Sequence, residues 1–140
     1  MPFRYLPDVA LADVAFEAAS SSIAGLFEAS AAALTEVMVD RRTVARRTTR
    51  AIHLEAEDTD RLLYDFLTEL IVIKDVELIV FKDAKVKVGK EGRTLDASLA
   101  GEEIDRARHR LRNDVKAVTM HMFGVRKKGK TWKATIVLDI

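Results

Sequence analysis

The sequence contains no cysteine, and this absence excludes disulfide bridges, thiolate catalysis and thiolate-ligated zinc. It also has no glycine-rich phosphate loop before a helix, no serine in a nucleophile elbow and no HExxH pair of histidines. The chain therefore offers little material for catalysis.

Long apolar runs are also missing. No segment approaches the roughly 20 apolar residues that a membrane span needs, and the longest candidate, residues 71–81, is interrupted by Lys74, Asp75 and Glu77. The first residues show no apolar signal region. We therefore expect a soluble, cytoplasmic protein without a membrane partner. Its 140 residues, 49% of them apolar, are enough for one compact core, which predicts a single domain over residues 1–140.

Opposite charges are segregated along the chain, although the net charge is only +1. Residues 41–50 carry five arginines and no acid, and residues 82–133 hold fifteen basic against seven acidic residues. Residues 1–40 and 51–81 are predominantly acidic. Such blocks can form patches for a charged partner or for RNA, or they can simply be solvated faces. Charge alone leaves these two interpretations evenly balanced.

Two helices are predicted from apolar residues that recur at a spacing of three to four. The first begins at Ile23, after serines 20–22 that can cap its first amides. The second begins near residues 58–60, where side-chain oxygens can cap and carboxylates suit the positive end of the helix dipole. The predicted buried faces consist of Ile23, Leu26, Phe27, Ala31, Leu34, Val37 and Met38, and of Leu62, Leu63, Phe66, Leu67, Leu70 and Ile73.

The rest of the chain is predicted to form strands. One hairpin turns at residues 89–92, and a second has a basic tip at residues 126–130. The predicted strands are residues 14–18, 48–57, 78–88, 93–100, 115–125 and 131–138. The inward side chains of the last strand are expected to be Trp132, Ala134, Ile136 and Leu138. This order of elements predicts an α+β fold with two helices packed on a largely antiparallel sheet.

The three histidines are far apart in the sequence. His53 is predicted on the solvent face of its strand, and His109 lies in the basic stretch 106–112. For each of them, and for His121, an ordinary structural role is favoured over catalysis.

Two carboxylates stand out because each lies at the end of an apolar strand: Asp13 precedes Val14, and Asp139 is followed by Ile140. If the two strand ends meet, both side chains and the terminal carboxylate of Ile140 converge and repel one another. A hard cation such as calcium or magnesium relieves this repulsion, because it prefers oxygen ligands. The alternative is that both acids occupy exposed strand ends, and spacing alone favours that alternative.

Several segments resemble the archease family, in the same order along nearly the whole chain. The most specific is the closing signature: residues 115–122 (VKAVTMHM), a basic hairpin, a Trp and residues 137–140 (VLDI). Residues 28–38 and 62–70 resemble the helices of the family, and residues 12–14 (ADV) resemble the second half of its His-Thr-Ala-Asp motif.

The resemblance implies an archease-like α+β fold and an accessory protein, not an enzyme, that activates the GTP-dependent RNA ligase of tRNA splicing. In this role the protein promotes guanylylation of the ligase and its multiple turnover. The resemblance also implies a divalent cation, calcium by preference, held by Asp13, Asp139 and the Ile140 carboxylate. Lys116 and His121 match the lysine and histidine of the closing signature, and are candidate contacts to the nucleotide or the ligase.

Strand alternation distinguishes these two candidates. Lys116 and His121 are five residues apart, so in one strand they face opposite sides unless a bulge intervenes. We therefore expect Lys116 to be the functional residue of the pair.

The sequence departs from the first motif of the family, because Ala10 and Leu11 stand where that motif has His-Thr. This change removes two polar candidates from the surroundings of the ion, and Asp8 is a candidate substitute.

An alternative function is a general RNA-binding or chaperone-like module that binds tRNA through the basic residues of segments 41–50 and 82–133. A hydrolase built on the acid cluster is a third interpretation, and it lacks a nucleophile or base with a suitable partner.

Overall fold

The computed structural model describes residues 2–7 and 13–140. Met1 and residues 8–12 lie outside the described part, and with them the departures at Ala10 and Leu11 and the candidate substitute Asp8. The described α-helices are α1 (Ile23–Met38) and α2 (Thr59–Glu77), and a short 3-10 helix spans Arg41–Thr43. The described strands are β1 (Phe3–Tyr5), β2 (Val14–Ser20), β3 (Thr48–Glu55), β4 (Ile79–Val88), β5 (Thr94–Glu103), β6 (Ala117–Val118), β7 (Gly124–Lys128) and β8 (Thr131–Asp139).

The helix α1 begins where the sequence predicts it. Ser22 is the N-cap, and its side-chain oxygen accepts a hydrogen bond of 3.0 Å from the backbone N–H of Gly25. The turn is tight, because a Cβ at position 25 would lie 2.1 Å from the Oγ of Ser20. The glycine therefore leaves room for the hydroxyl of Ser20 beside the first turn of α1.

The helix α2 has a carboxylate cap and a left-handed end. The side chain of Asp58 accepts a hydrogen bond of 2.8 Å from the backbone N–H of Arg61. At the other end Leu78, predicted as the first residue of a strand, adopts a φ of 59° and caps the helix. β4 consequently begins at Ile79.

The described strands form two antiparallel sheets. The first has the order β1-β2-β8-β6, with β7 also paired to β8, and the second has the order β3-β5-β4. The predicted α+β class with antiparallel strands is confirmed, but the strands divide between two sheets. The reason lies in α1, which is buried on most of its circumference and has only two charged residues, Glu28 and Glu36. One sheet cannot cover such a helix.

The apolar core lies where helices and sheets meet. Within the described part, α1 and α2 each contact strands from both sheets. The rings of Phe27 in α1 and Phe66 in α2 stack with their centroids 5.9 Å apart, and both are fully buried. Of the predicted inward residues of β8, Ala134, Ile136 and Leu138 are fully buried and Trp132 is partly buried. The core therefore holds the last strand rigidly in place.

The prediction of one continuous strand over residues 115–125 is wrong. β6 and β7 pair with successive parts of β8, and the chain turns between them with Met122 at a φ of 56°. Residues 119–122 contain none of the Gly, Pro, Asn, Asp or Ser residues that mark turns. Tertiary pairing to β8 imposes this turn, so local sequence could not reveal it.

Other differences from prediction are small. β1 was not predicted, and β5 continues to Glu103 rather than ending at residue 100. Neither described helix is long and apolar enough to cross a membrane.

Candidate metal site

The two predicted carboxylates lie at the same end of adjacent strands. β2 and β8 are antiparallel neighbours, and Val14 is the partner of Leu138. Asp13 directly precedes Val14, and Asp139 directly follows Leu138, so continuing the register by one residue places the two aspartates opposite each other. Residues opposite each other in an antiparallel pair have Cβ atoms about 4.5–5.5 Å apart. The two strand ends therefore meet.

Both aspartates are partly buried. Alternation along the strands places them on the sheet face opposite to Val14 and Leu138, which pack against the core. Neither carboxylate forms a side-chain hydrogen bond or an ion pair with another described residue. Two neighbouring half-buried carboxylates repel each other unless a positive charge lies between them.

The possible metal ligands at this strand end are oxygen atoms. No group of three or more His, Asp or Glu side chains in the described part of the chain is arranged for a metal ion. An ion between Asp13 and Asp139 would thus take its remaining ligands from backbone carbonyls or from water. Such a set suits calcium or magnesium, which prefer oxygen ligands.

Lys116 lies beside this strand end. Its backbone N–H donates a hydrogen bond of 2.8 Å to the C=O of Asp139, immediately before β6. Its side chain is exposed and forms no ion pair within the described residues. The ammonium group is therefore available to an anion that approaches the carboxylates.

The backbone before Lys116 is anchored by a buried lysine of α2. The Nζ of Lys74 lies 2.6 Å from Oδ1 of Asp114, 2.6 Å from Oδ1 of Asp75 and 2.9 Å from the C=O of Val115. Burial lowers the pKa of Lys74, but the hydrogen bonds that its ammonium group donates to Asp114 and Asp75 outweigh burial and leave the pKa raised. This charged contact fastens the segment that carries Lys116 to the core.

His121 occupies a different position. It lies in the turn between β6 and β7, is exposed, and its backbone N–H donates to Oγ1 of Thr119 at 3.2 Å. The alternation expected between Lys116 and His121 does not apply, because the turn interrupts the strand. The neighbouring Met120 and Met122 are 62% and 55% exposed.

The arginine-rich segment 41–50 is largely neutralised by local carboxylates. Its ion pairs join Arg42 to Asp40, Arg46 to Asp83, Arg47 to Glu102 and Arg50 to Glu77. The Arg42 hydrogen bond holds the pKa of the Asp40 carboxyl down at about 2. These ion pairs connect β3 and the preceding loop to other elements. Much of the positive charge of this segment is therefore neutralised within the folded chain.

The tip of the β7–β8 hairpin keeps its positive charge exposed. Arg126, Lys127, Lys128 and Lys130 are all exposed. Arg126 bonds to Glu17 of β2 at 2.9 Å, and Lys127 lies 5.4 Å from the ring centroid of Trp132. Within the described residues, Lys128 and Lys130 have no carboxylate partner.

The structure reveals a buried polar cluster that was not predicted. Glu102 is 2% exposed and His109 5% exposed, and their Oε2 and Nε2 atoms lie 2.9 Å apart. The Arg108 hydrogen bond is the main cause that lowers the pKa of Glu102 to about 2, although burial opposes it. The sequence signal was weak, since Glu102 sits among other acids and His109 among arginines. His109 was expected in a structural role, which its burial in this cluster supports.

Together these features define a small α+β protein with a pair of carboxylates at one sheet end and a lysine beside them. The model of the Archease protein family matches residues 3–140 of this chain. The protein archease of Pyrococcus abyssi is 39% identical over 132 residues, covering 92% of this chain and 93% of its own. That of Methanothermobacter thermautotrophicus is 38% identical over 131 residues, with 92% and 93% covered. The chain therefore belongs to the archease family.

Two solved structures are similar to this one. The solution structure of Methanobacterium thermoautotrophicum protein 1598 has a TM-score of 0.81 and 35% identity, covering 99% of both chains. The crystal structure of an archease from Thermotoga maritima, described as a possible chaperone, has a TM-score of 0.66 and 19% identity, covering 96% of both chains. The second comparison supports the fold alone.

Proposed function

We propose that this protein is an accessory protein, not itself an enzyme, that activates the GTP-dependent RNA ligase of tRNA splicing in the cytoplasm. It promotes guanylylation of the ligase and multiple turnover through a bound divalent cation, calcium by preference. The observation that carries the proposal is the β2–β8 register, which sets Asp13 opposite Asp139. Membership of the archease family supports the choice of partner.

The residues present fit such an ion. Asp13 and Asp139 supply two negatively charged oxygen ligands. We propose the carboxylate of Ile140 as the third ligand. A hard divalent cation offsets the charge of phosphate groups when it is bound there. The work of the chain itself is to hold these oxygens together on paired strands, so that the site is formed before the ligase binds.

Lys116 and the hairpin tip supply positive charge around the site. The Lys116 backbone is fixed to Asp139 and, through Lys74, to the core, so its side chain extends from a rigid base. We propose that it contacts a phosphate of the nucleotide or an acidic group of the ligase. The exposed tip residues 126–130 enlarge the surface for docking. His121 lies in the turn on the same edge of β8 and is assigned a contact with the ligase surface.

Ligation assays with limiting cognate ligase test the proposal. We expect Asp13→Ala and Asp139→Ala to abolish stimulation of multiple turnover, with at least a tenfold loss, because the ion is no longer held. Lys116→Ala should reduce stimulation less. Glu91→Ala, an exposed acid in the β4–β5 turn, is the matched control and should stimulate fully.

Circular dichroism must show that each variant is folded. If folded Asp139→Ala stimulates as well as the parent protein, the cation mechanism is wrong. If the parent fails to stimulate the ligase under any divalent ion, the proposed function itself is wrong.

A second candidate function is general RNA binding, and the exposed lysines of the hairpin tip are the observation that favours it. Because ion pairs neutralise much of segment 41–50, we propose the hairpin tip, and not that segment, as the main RNA contact. This function predicts steep salt dependence and weaker tRNA binding by Lys128→Ala combined with Lys130→Ala, while Asp139→Ala binds normally. Filter binding at several salt concentrations distinguishes the two functions.

A further inference from the structure

The turn between β6 and β7 presents two methionines to solvent. Met120 is 62% exposed and Met122 is 55% exposed, whereas Met38 of α1 is only 7% exposed. Neither methionine of the turn belongs to the described apolar core, although the next residue, Phe123, packs against it. Two large apolar side chains that are exposed in one turn and add nothing to the core are typical of a contact surface.

The backbone of this turn is held in place from both sides. The N–H of Phe123 donates a hydrogen bond of 3.3 Å to the C=O of Met120 and closes the turn. Met122 adopts a φ of 56°, a left-handed conformation that is unfavourable for a residue with a Cβ. The ring of Phe123 packs edge-on against Tyr64 of α2, with the centroids 5.7 Å apart. The turn therefore has a fixed base, while the long thioether side chains can adapt to a partner.

The turn lies close to the candidate metal site. The N–H of Thr119 donates to the C=O of Val137 at 2.9 Å, and Ala117 of β6 is the partner of Asp139. Val137 precedes Asp139 by two residues in β8. Since two residues of a strand span about 7 Å, the turn begins about that far from Asp139 along β8.

A ligase that covers the candidate metal site also covers this turn, and this step rests on the proposed function. A stable protein–protein interface takes roughly 800 Å² from each partner, which corresponds to a patch about 30 Å across. Such a patch centred on Asp139 includes Met120 and Met122. Methionine is enriched in protein interfaces, because its flexible side chain and polarisable sulfur adapt to irregular surfaces. The ligase is therefore the partner that these two side chains are placed to contact.

The same exposure makes both sulfur atoms accessible to oxidants. Hydrogen peroxide oxidises a thioether by two electrons: the sulfur takes one oxygen of the peroxide, the O–O bond breaks, and the other oxygen leaves as water. The product, methionine sulfoxide, is polar and chiral, so it fits poorly into an apolar contact. The chain has no cysteine that could consume the oxidant first.

We propose that Met120 and Met122 form a reversible oxidation site that controls docking of the ligase. In the reduced state the two thioethers contact the ligase beside Asp139 and Lys116. Oxidation by a peroxide places two polar sulfoxides in that contact and weakens docking, while the carboxylates and the fold stay unchanged. A methionine sulfoxide reductase with a dithiol reverses the step: the dithiol becomes a disulfide, and the sulfoxide oxygen leaves as water.

Peptide mass spectrometry after brief exposure to hydrogen peroxide tests the selectivity of oxidation. In the folded protein we expect sulfoxide at Met120 and Met122 to form at least about ten times faster than at Met38, which is buried. In urea the three rates should become similar, because unfolding exposes all three sulfur atoms. Equal rates at the three positions in the folded protein would overturn the proposal.

Ligation assays with limiting ligase test the effect on docking, once catalase has removed the peroxide so that the ligase itself is not oxidised. For half-maximal stimulation we expect to need roughly ten times more of the oxidised parent protein than of the reduced one, and a reductase with dithiothreitol should reverse this loss. Met120→Leu combined with Met122→Leu removes both sulfur atoms and keeps apolar side chains, so its stimulation should be the same after peroxide as before. Met38→Leu is the matched control and should lose stimulation on oxidation as the parent does.

Met120→Gln combined with Met122→Gln imitates the polar sulfoxides and should stimulate weakly without any peroxide. The docking role is refuted if the fully oxidised parent stimulates as well as the reduced parent, or if peroxide affects the double Leu variant as strongly as the parent. A reduced parent that never stimulates the ligase refutes the proposed function, and the docking role with it. In that case mass spectrometry still decides whether the two methionines form a selective oxidation site.

Discussion

The imidazole Nε2 of His109 lies 2.9 Å from Oε2 of Glu102, and both side chains are buried. The Nδ1 of the same ring accepts a hydrogen bond of 2.8 Å from the backbone N–H of Asp105. That acceptor role puts the proton on Nε2, so the ring donates to Glu102. Glu102 also accepts from the N–H of Ala45 and from Arg108, both at 2.5 Å. One carboxylate thus joins β5, the 105–109 turn and the loop before β3.

Glu102→Gln should destabilise the fold. The amide removes the negative charge that Arg108 and His109 contact, and breaking one partner of a buried charged cluster costs about 3–5 kcal/mol. Urea denaturation followed by circular dichroism measures the change. Glu103→Gln, the exposed neighbour, is the control and should lie within about 0.5 kcal/mol of the parent. Equal stabilities of the two variants would contradict the central role of Glu102.

The stability difference between the parent and Glu102→Gln should depend on pH. The pKa of Glu102 falls from 4.5 to about 2 on folding, with Arg108 as the main cause. The folded state therefore favours the carboxylate, so its contribution is fully present above pH 4.5 and is lost as the pH falls through about 2. Denaturation curves of both proteins should converge over this interval. A constant difference would show that the charge of Glu102 is not responsible.

His53 should titrate above its ordinary pKa. Hydrogen bonds to Glu55, at 2.9 Å from Nε2, and to Asp96, at 2.8 Å from Nδ1, raise the pKa of His53 above 6.5. Its stabilisation of the fold is therefore present below pH 6.5 and is lost as the pH rises through the folded-state pKa. NMR titration of the ring protons measures this pKa. Glu55→Gln should lower it, and an unchanged value would contradict the pairing.

Lys74→Met should loosen the segment that carries Lys116. The substitution removes the charged contact to Asp114 and leaves the C=O of Val115 without its 2.9 Å hydrogen bond. Hydrogen exchange should show faster exchange of the Lys116 amide, which bonds to Asp139. Lys90→Met, in the exposed β4–β5 turn, is the control and should leave that amide unchanged.

Calcium should raise the thermal stability of the protein if Asp13 and Asp139 hold it. An ion that binds only the folded state adds about 2.7 kcal/mol at a concentration one hundred times its Kd, or several degrees in Tm. Thermal melts across calcium concentrations should show this rise for the parent and for Glu91→Gln. Asp139→Asn should show little rise. An equal rise in all three proteins would place the ion elsewhere.

Much of the fold was predictable from local sequence. The start of α1 at Ile23 and the cap at Asp58 follow from serine and aspartate side chains that contact amides three residues away. The turn at Met122 was not predictable, because its left-handed backbone is imposed by pairing of β6 and β7 with β8. The division into two sheets also depends on how fully α1 is buried.

The candidate metal site could likewise be predicted only in part from local sequence. Asp13 and Asp139 could be singled out because each ends an apolar strand, but their approach depends on the β2–β8 register. The Glu102–His109 cluster escaped prediction because its members look like ordinary surface residues in their sequence surroundings.

By itself, the sequence determined the α+β class, the positions of the helices and the likeness to one family, because periodicity, caps and motifs act between residues close in the chain. Only the tertiary structure decided which strand ends meet and which arginines are neutralised. Those features depend on pairing between distant segments, and strand pairing is set by packing of the whole core rather than by any local pattern.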